Sequence, residues 1–363
     1  MRQVYLAATG MNRGKTTVCL GFLAGCLSRG LSTGFLKPVG QRTVIEDGVP
    51  ADDDAVLMRT LFNLPDPIAV MSPVHIPRGF TKAYINGEVV EDLPGRIRAA
   101  HARLAMNREV VLIEGTGHAG VGAVIGLSNA DVAALLGAPA IIVSEGGVGR
   151  PIDEIVLNAS LFARRGVTVA GAIVNKVDLD AQPGIVPILE RGLALHGIPL
   201  LGVLPYRPIL SNPTLGMILG GLRGETICAG PDLDRVVEAV SIGAMEREHV
   251  LDRMGPGTLV IVPADRTDVI VGLAAAQAAG RGALGLVLTD GYRPETAAAD
   301  AIRAANLFAT VVPADTYVVA SEIHDLLVKT HPSDAGKIAL IKALVAEHLD
   351  IDRILDVAAP FTA

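Results

Sequence analysis

Short apolar, β-branched runs recur along this chain, each followed by a glycine-bearing turn and an Ala/Leu-rich amphipathic stretch. That rhythm predicts parallel strands joined by crossover helices. In the first part the expected strands are 4–8, 33–37, 110–114, 140–144, 167–174 and 200–204. Most of these runs are apolar at every position instead of at alternate ones, as suits strands covered on both faces. Residues 206–231 are rich in proline and glycine with weak patterning, and the domain junction is placed there. A second α/β series follows, with strands 258–262, 285–288 and 310–312 and helices near 267–279, 295–305, 316–328 and 333–348. The expectation is a mostly parallel sheet with helices on both faces over 1–215, then a smaller α/β domain over 225–350.

Composition narrows the function classes. With 363 residues, half of them hydrophobic, the chain has enough apolar material for two ordinary cores. A net charge of −7 without a long basic block argues against nucleic acid and against anionic membranes as partners. Cys19, Cys26 and Cys228 are too scattered for a zinc site or a disulfide framework. Cys19 and Cys26, seven apart on a predicted helix, read as core fillers, and this usage fits a reducing cytoplasm. The longest apolar run, 132–143, contains Gly137 and Pro139 and falls short of the roughly 20 residues that span a bilayer. No signal peptide is expected at the start of the chain.

The most informative chemistry lies in the first turn, Thr9-Gly10-Met11-Asn12-Arg13-Gly14-Lys15-Thr16-Thr17. A strand that enters a loop ending in Gly-Lys-Thr and opening a helix surrounds phosphate oxygens with backbone N–H groups. Lys15 would reach the outer phosphates, and the Thr16 hydroxyl would ligate a phosphate-bound Mg²⁺. The consensus places glycine where Thr9 stands, and an inert turn is the competing reading. The fold class expected for this domain is therefore P-loop NTPase-type α/β, with ATP and Mg²⁺ as ligands.

In an open parallel sheet, ligands bind outside the carboxyl ends of the strands. Four such ends carry chemistry here. Lys37, fixed by Pro38, aims an ammonium at the loop or is simply solvated. Among Asp52, Asp53 and Asp54, one caps the following helix and another is available to Mg²⁺. Glu114 closes an apolar strand, where a carboxylate is costly unless paired or metal-bound. Asn175, in Val174-Asn175-Lys176, offers the donor and acceptor that a purine edge requires. His118 has no identifiable partner, Ser144–Arg150 is a glycine loop at the same edge, and Ser128-Asn129-Ala130-Asp131 reads as a structural capping box. The second half offers no paired nucleophile and base.

Taken in order, these residues resemble the dethiobiotin synthetase-like P-loop family over residues 1 to about 215. The likeness extends to the synthetase-like N-terminal part of large bacterial phosphotransacetylases and their free-standing, cobyrinic acid diamide synthase-like relatives. In the second half, Pro263-Ala264-Asp265-Arg266-Thr267-Asp268, Leu288-Thr289-Asp290-Gly291 and Asp315-Thr316-Tyr317 resemble a DRTGG domain. The phosphotransacetylase catalytic domain that follows in those proteins is expected to be missing. The resemblance implies that Thr9, Gly10, Asn12, Arg13, Gly14, Lys15, Thr16 and Thr17 hold the nucleotide. It also implies that Thr16, Asp54 and Glu114 hold the metal, that Asn175 meets adenine, and that Lys37 stabilises an anionic substrate or its phosphorylated form. In the synthetase, ATP phosphorylates a carbamate, chemistry that needs a lysine-lined, Mg²⁺-bearing pocket. Met11, Asn12 and Arg13 stand where that enzyme has diamine-contacting residues, so nucleotide binding carries over better than dethiobiotin synthesis. Two functions follow: ATP-dependent activation of a carboxylate-type small molecule, or a nucleotide-sensing regulatory module with a partner enzyme and a homodimeric assembly.

Overall fold

The computed structural model describes residues 1–324, 326, 330–332 and 334–360. All six strands expected in the first part form: β1 (Arg2–Ala8), β2 (Thr33–Leu36), β3 (Val110–Glu114), β4 (Ala140–Glu145), β5 (Val169–Val177) and β6 (Leu200–Pro205). They pair in parallel in the order β6-β5-β4-β1-β3-β2, so the chain leaves β1 at the point where the strand order reverses. Both faces are covered. Tyr5, Ile113 and Ile142 join the core on one side, while Leu6, Leu112 and Ile141 point to the other and are at most 1% exposed. Each fully buried side chain of this size contributes about 1.5–3 kcal/mol, which explains the uninterrupted apolarity of the strands.

Helix α1 (Lys15–Ser28) follows the first turn, and α2 (Asp53–Phe62) follows an antiparallel hairpin formed by Thr43–Glu46 and Val49–Asp52. Further round are α3 (Asn129–Leu136) and α4 (Gly149–Arg164). At the start of α3 the capping box is present as expected, with Ser128 and Asp131 satisfying each other's backbone N–H groups.

The chain divides into two compact units, Met1–Tyr206 with Thr330–Ala363, and Arg207–Lys329. The junction after Tyr206 falls in the proline- and glycine-rich segment. One placement differs from expectation: the helix near 333–348 was assigned to the second series, yet it packs in the first unit, on α1. The reason lies in α1, which is apolar all round and presents Gly21 to this neighbour. A Cβ at Gly21 would come within 2.2 Å of Val345, so the glycine is what lets the two helices approach. Glycine inside a helix is destabilising by about 1 kcal/mol relative to alanine, and the close packing offsets it.

In the second unit the five-stranded sheet has the order β7-β11-β10-β9-β8. Its strands are β7 (Glu225–Cys228), β8 (Ala239–Ile242), β9 (Thr258–Pro263), β10 (Gly285–Thr289) and β11 (Phe308–Val311). All pairs are parallel except β7 with β11. Its helices include Leu215–Gly221, Arg247–Asp252, Thr267–Ala278, Thr296–Ala304 and Thr316–His324. Residues 325, 327 and 328 of the expected helix 316–328, and residue 333 of the next, lie outside the described residues. The first unit also contains helices Leu93–Ala105, Ile185–Ala194, Ala335–His348 and Ile351–Val357, and Ala359–Pro360 pairs antiparallel with β1. No helix among the described residues is long and apolar enough to cross a membrane.

Candidate functional site

The turn after β1 is held from beneath by the ends of β4 and β5. Thr9 Oγ1 lies 3.2 Å from Ser144 Oγ. Lys176 Nζ donates to the Asn12 carbonyl at 2.8 Å and pairs with Glu145 at 3.2 Å, and Arg13 pairs with Glu145 and, at 3.9 Å, with Glu154. Asn175 Nδ2 donates to the Arg13 carbonyl at 3.1 Å. Gly14 adopts a left-handed backbone, φ 86°, immediately before α1. A Cβ there would sit 1.9 Å from Asn175 Nδ2, so glycine is required by conformation and by space together. The backbone of the loop therefore rests on Asn175, and its open side faces the N-terminus of α1.

Lys15 and Thr16 open that helix. Lys15 is half-buried and makes no side-chain hydrogen bond or ion pair within the described residues, and burial, helped by the charge of Lys37, lowers its pKa. Thr16 Oγ1 lies 3.0 Å from Glu114 Oε1 and 3.3 Å from Asp54 Oδ1. Lys37 follows β2 at once and is 3% exposed. Its ammonium donates to Asp54 Oδ2 at 2.7 Å, to Glu114 Oε1 at 3.1 Å and to the Gly115 carbonyl at 3.3 Å. Burial opposes the charge on Lys37, but Asp54 and Glu114 overcome it and hold its pKa well above the ordinary lysine value. Glu114 is wholly buried, and burial raises its pKa against the pull of Lys37. Its second oxygen, Oε2, is buried with no hydrogen-bond partner among the described residues.

The geometry separates the three aspartates. Their carboxylates lie within 4.8 Å of one another, yet Asp52 is spent on the backbone. It accepts from Gln41 and Arg42 N–H at 3.0 and 3.3 Å through Oδ2 and from Asp54 N–H at 3.1 Å through Oδ1, as the N-cap of α2. Asp54 is the member that faces Thr16, Lys37 and Glu114. His118 is exposed and accepts from Gly120 N–H at 3.2 Å, which leaves it in a local turn. Gly10 lies in the loop and Thr17 at the helix start, and the Thr17 hydroxyl makes no hydrogen bond to the carboxylates among the described residues.

Sequence reading missed Asn129 and Tyr5. Asn129, 4% exposed, accepts from Tyr5 Oη at 2.8 Å and Thr116 N–H at 3.0 Å. It donates to the carbonyls of Thr116 and His118 at 2.7 and 2.6 Å. One amide thus fixes the whole segment after Glu114. A tyrosine inside an otherwise aliphatic strand was the available signal, since a buried phenol needs a partner.

A loop ending in Gly14-Lys15-Thr16 between a central parallel strand and a helix, at the reversal of strand order, defines a P-loop NTPase-type α/β domain. The chain belongs to the AAA domain family AAA_26, whose sequence profile matches residues 2–214, and a DRTGG domain profile matches residues 217–326. It is similar to the phosphate acetyltransferase of Pseudomonas putida, at 27% identity over 96% of this chain and 51% of that protein. The chain spans about half the length of the curated relatives it matches, and it is related to the N-terminal region of phosphotransacetylases. Among solved structures, the MinC:MinD cell division complex of Aquifex aeolicus is similar at 14% identity and a TM-score of 0.37, covering 58% of this chain and 84% of that one. The CBS and DRTGG domains of Clostridium perfringens pyrophosphatase, complexed with diadenosine tetraphosphate, are similar at 20% identity and a TM-score of 0.28. That match covers 37% of this chain and 60% of the other.

Proposed function

We propose that the first unit binds Mg·ATP and uses it in slow or substrate-gated phosphoryl transfer to a carboxylate-type small molecule. The observation that carries this reading is the convergence of Lys15, Thr16, Lys37, Asp54 and Glu114 outside the ends of β1, β2 and β3. The donor set fits Mg²⁺: a hydroxyl and two carboxylates are hard oxygen ligands, and Glu114 brings a buried oxygen with no hydrogen bond among the described residues. Thr16, Asp54 and Glu114 would hold the ion, which when bound would neutralise charge on the phosphate oxygens. Lys15 binds the outer phosphates, and the N–H groups of residues 10–16 orient them. Lys37 is kept protonated by its two carboxylates and is placed to neutralise charge between nucleotide and acceptor. Asn175 holds the base of the loop through its bond to the Arg13 carbonyl, which leaves only its amide oxygen for the adenine edge.

Calorimetric titration with Mg·ATP tests this. Binding should weaken at least about 100-fold in Lys15→Ala, a difference of about 2.7 kcal/mol. A wild-type protein that shows no heat of binding and no thermal shift at saturating Mg·ATP overturns the reading.

A second reading rests on the DRTGG match: the chain senses nucleotide and regulates a partner enzyme, as a homodimer. Affinity capture with and without Mg·ATP, together with light scattering, checks it. An assembly state and a set of bound proteins that ignore nucleotide reject it.

A further inference from the structure

Beside the carboxylate cluster lies a second space. A cavity of about 60 Å³ opens between the segments that follow β2 and β3 and is walled by apolar side chains, among them Val39, Ile76, Ile125 and Leu127. Its floor is Thr116 and Asn129, both already hydrogen-bonded: Thr116 Oγ1 donates to the Val39 carbonyl at 2.7 Å, and Asn129 is saturated by the contacts above. Its rim carries Gln41 and Thr81, exposed side chains that make no hydrogen bond within the described residues. Arg42, Arg78 and Lys82, on the same rim segments, make no ion pair within the described residues. The floor is also the site's own backbone. Val39 is two residues beyond Lys37 and Thr116 two beyond Glu114, so their Cα atoms lie within about 7 Å of those residues.

We propose that this cavity is the binding site of the acceptor, and that the acceptor is a short-chain aliphatic carboxylate. This rests on the function proposed above and names its substrate class. Three features select that class. The walls offer an apolar chain favourable contacts and no hydrogen bonds to satisfy. The size limits the chain: at roughly 10–15 Å³ of such space per water-sized atom, about 60 Å³ holds about four to six heavy atoms. The charge of the ligand follows from the function proposed above and is favoured by Arg42, Arg78 and Lys82, which flank the rim residues in sequence; Lys37 is not part of the cavity wall and is neutralised by Asp54 and Glu114.

The full chain is titrated calorimetrically with butyrate, octanoate and n-butylamine, in the presence and absence of Mg·ATP. Butyrate should bind, octanoate at least about ten-fold more weakly because it exceeds the cavity, and butylamine not detectably. Val124→Trp, on a wall residue that is 52% exposed, should weaken butyrate binding at least ten-fold and leave Mg·ATP affinity unchanged. Thr81→Trp fills the mouth from the opposite side and should do the same should Val124→Trp fail to fold. The assignment is overturned by no butyrate binding to a protein that does bind Mg·ATP, by equal binding of all three compounds, or by butyrate affinity that survives in a folded tryptophan variant. Loss of Mg·ATP binding in the wild type is the separate result that removes the function proposed above.

Discussion

Outside the carboxyl ends of the first sheet, Lys15 and Lys37 stand among Asp54 and Glu114, and the side chains are mostly buried. Outside the corresponding ends of the second sheet, Asp265, Asp290 and Asp315 are exposed and line a cavity of about 490 Å³ with no lysine or arginine in its wall. Both places arise from the same cause: in a parallel sheet each strand delivers its next residue to one edge. What differs is the residue delivered, and with it the ligand charge that edge can accept. The first edge is a balanced, mostly buried cluster of two lysines and two carboxylates. The second is acidic and solvated. The topology supplies a place, and the charges decide its use.

The comparison makes the first cluster structurally dependent on its charges, and Lys37→Met is the strongest test. Removing the ammonium leaves Asp54 and Glu114 together in a buried site, and breaking a buried ion pair from one side is destabilising by about 3–5 kcal/mol. Urea unfolding monitored at pH 7 reads the loss directly, and a loss under 1 kcal/mol would mean that the cluster is less buried than its geometry states. Acid sensitivity should also sit in the first unit. There His101 is 1% exposed, and burial pushes its pKa down to about 4. A base depressed in the folded state contributes full stability above its ordinary pKa of about 6.5, and that contribution is lost as pH falls toward 4, about 3 kcal/mol in all. Asp52 and Glu114, whose pKa values burial raises, act in the opposite direction, so the measurement is the difference between wild type and His101→Gln. Unfolding curves between pH 7.5 and 4 should show the steeper decline in wild type.

The legibility of the two units followed the same contrast. In the first, continuous apolar runs located all six strands, because full burial on both faces leaves little other reading. Lys37 and Glu114 were readable because each ends such a run. In the second unit β7 and β8 were missed, as both are short and largely exposed edge strands with little patterning. The hairpin before α2 was also missed, although Asp47-Gly48, both at positive φ, is the turn such hairpins favour. Which aspartate caps and which faces the site could not be read from three adjacent identical residues. It depends on the hairpin bringing Gln41 and Arg42 onto Asp52. The place of Ala335–His348 depended on the helix partner of Gly21, which no local pattern specifies.

A smaller effect tests how tightly the first loop is built. Gly14→Ala puts a side chain at φ 86° and against Asn175 Nδ2. The left-handed backbone alone costs about 1–2 kcal/mol, and Asn175 must move. Stability should fall by about that amount and Mg·ATP affinity by at least ten-fold. Unchanged affinity would show that the Arg13–Asn175 contact does not set the shape of the loop.

The smallest effect is expected at the second edge, where Asp265, Asp290 and Asp315 make no ion pair among the described residues. The triple substitution Asp265→Asn, Asp290→Asn and Asp315→Asn removes three negative charges from the second cavity. Asn keeps what structural work the backbone asks of these side chains: it tolerates the positive φ of 69° at residue 290. It also caps a helix as well as aspartate does, preserving the bond from Val318 N–H to residue 315, now 2.9 Å. With exposed groups the gain from relieved repulsion is below about 1 kcal/mol, so unfolding free energy should rise slightly or stay constant. Mg·ATP affinity should not change. A loss above 2 kcal/mol would show that these carboxylates are engaged in a cluster as demanding as that of Lys37, and the distinction between a balanced buried edge and a solvated acidic one would fail.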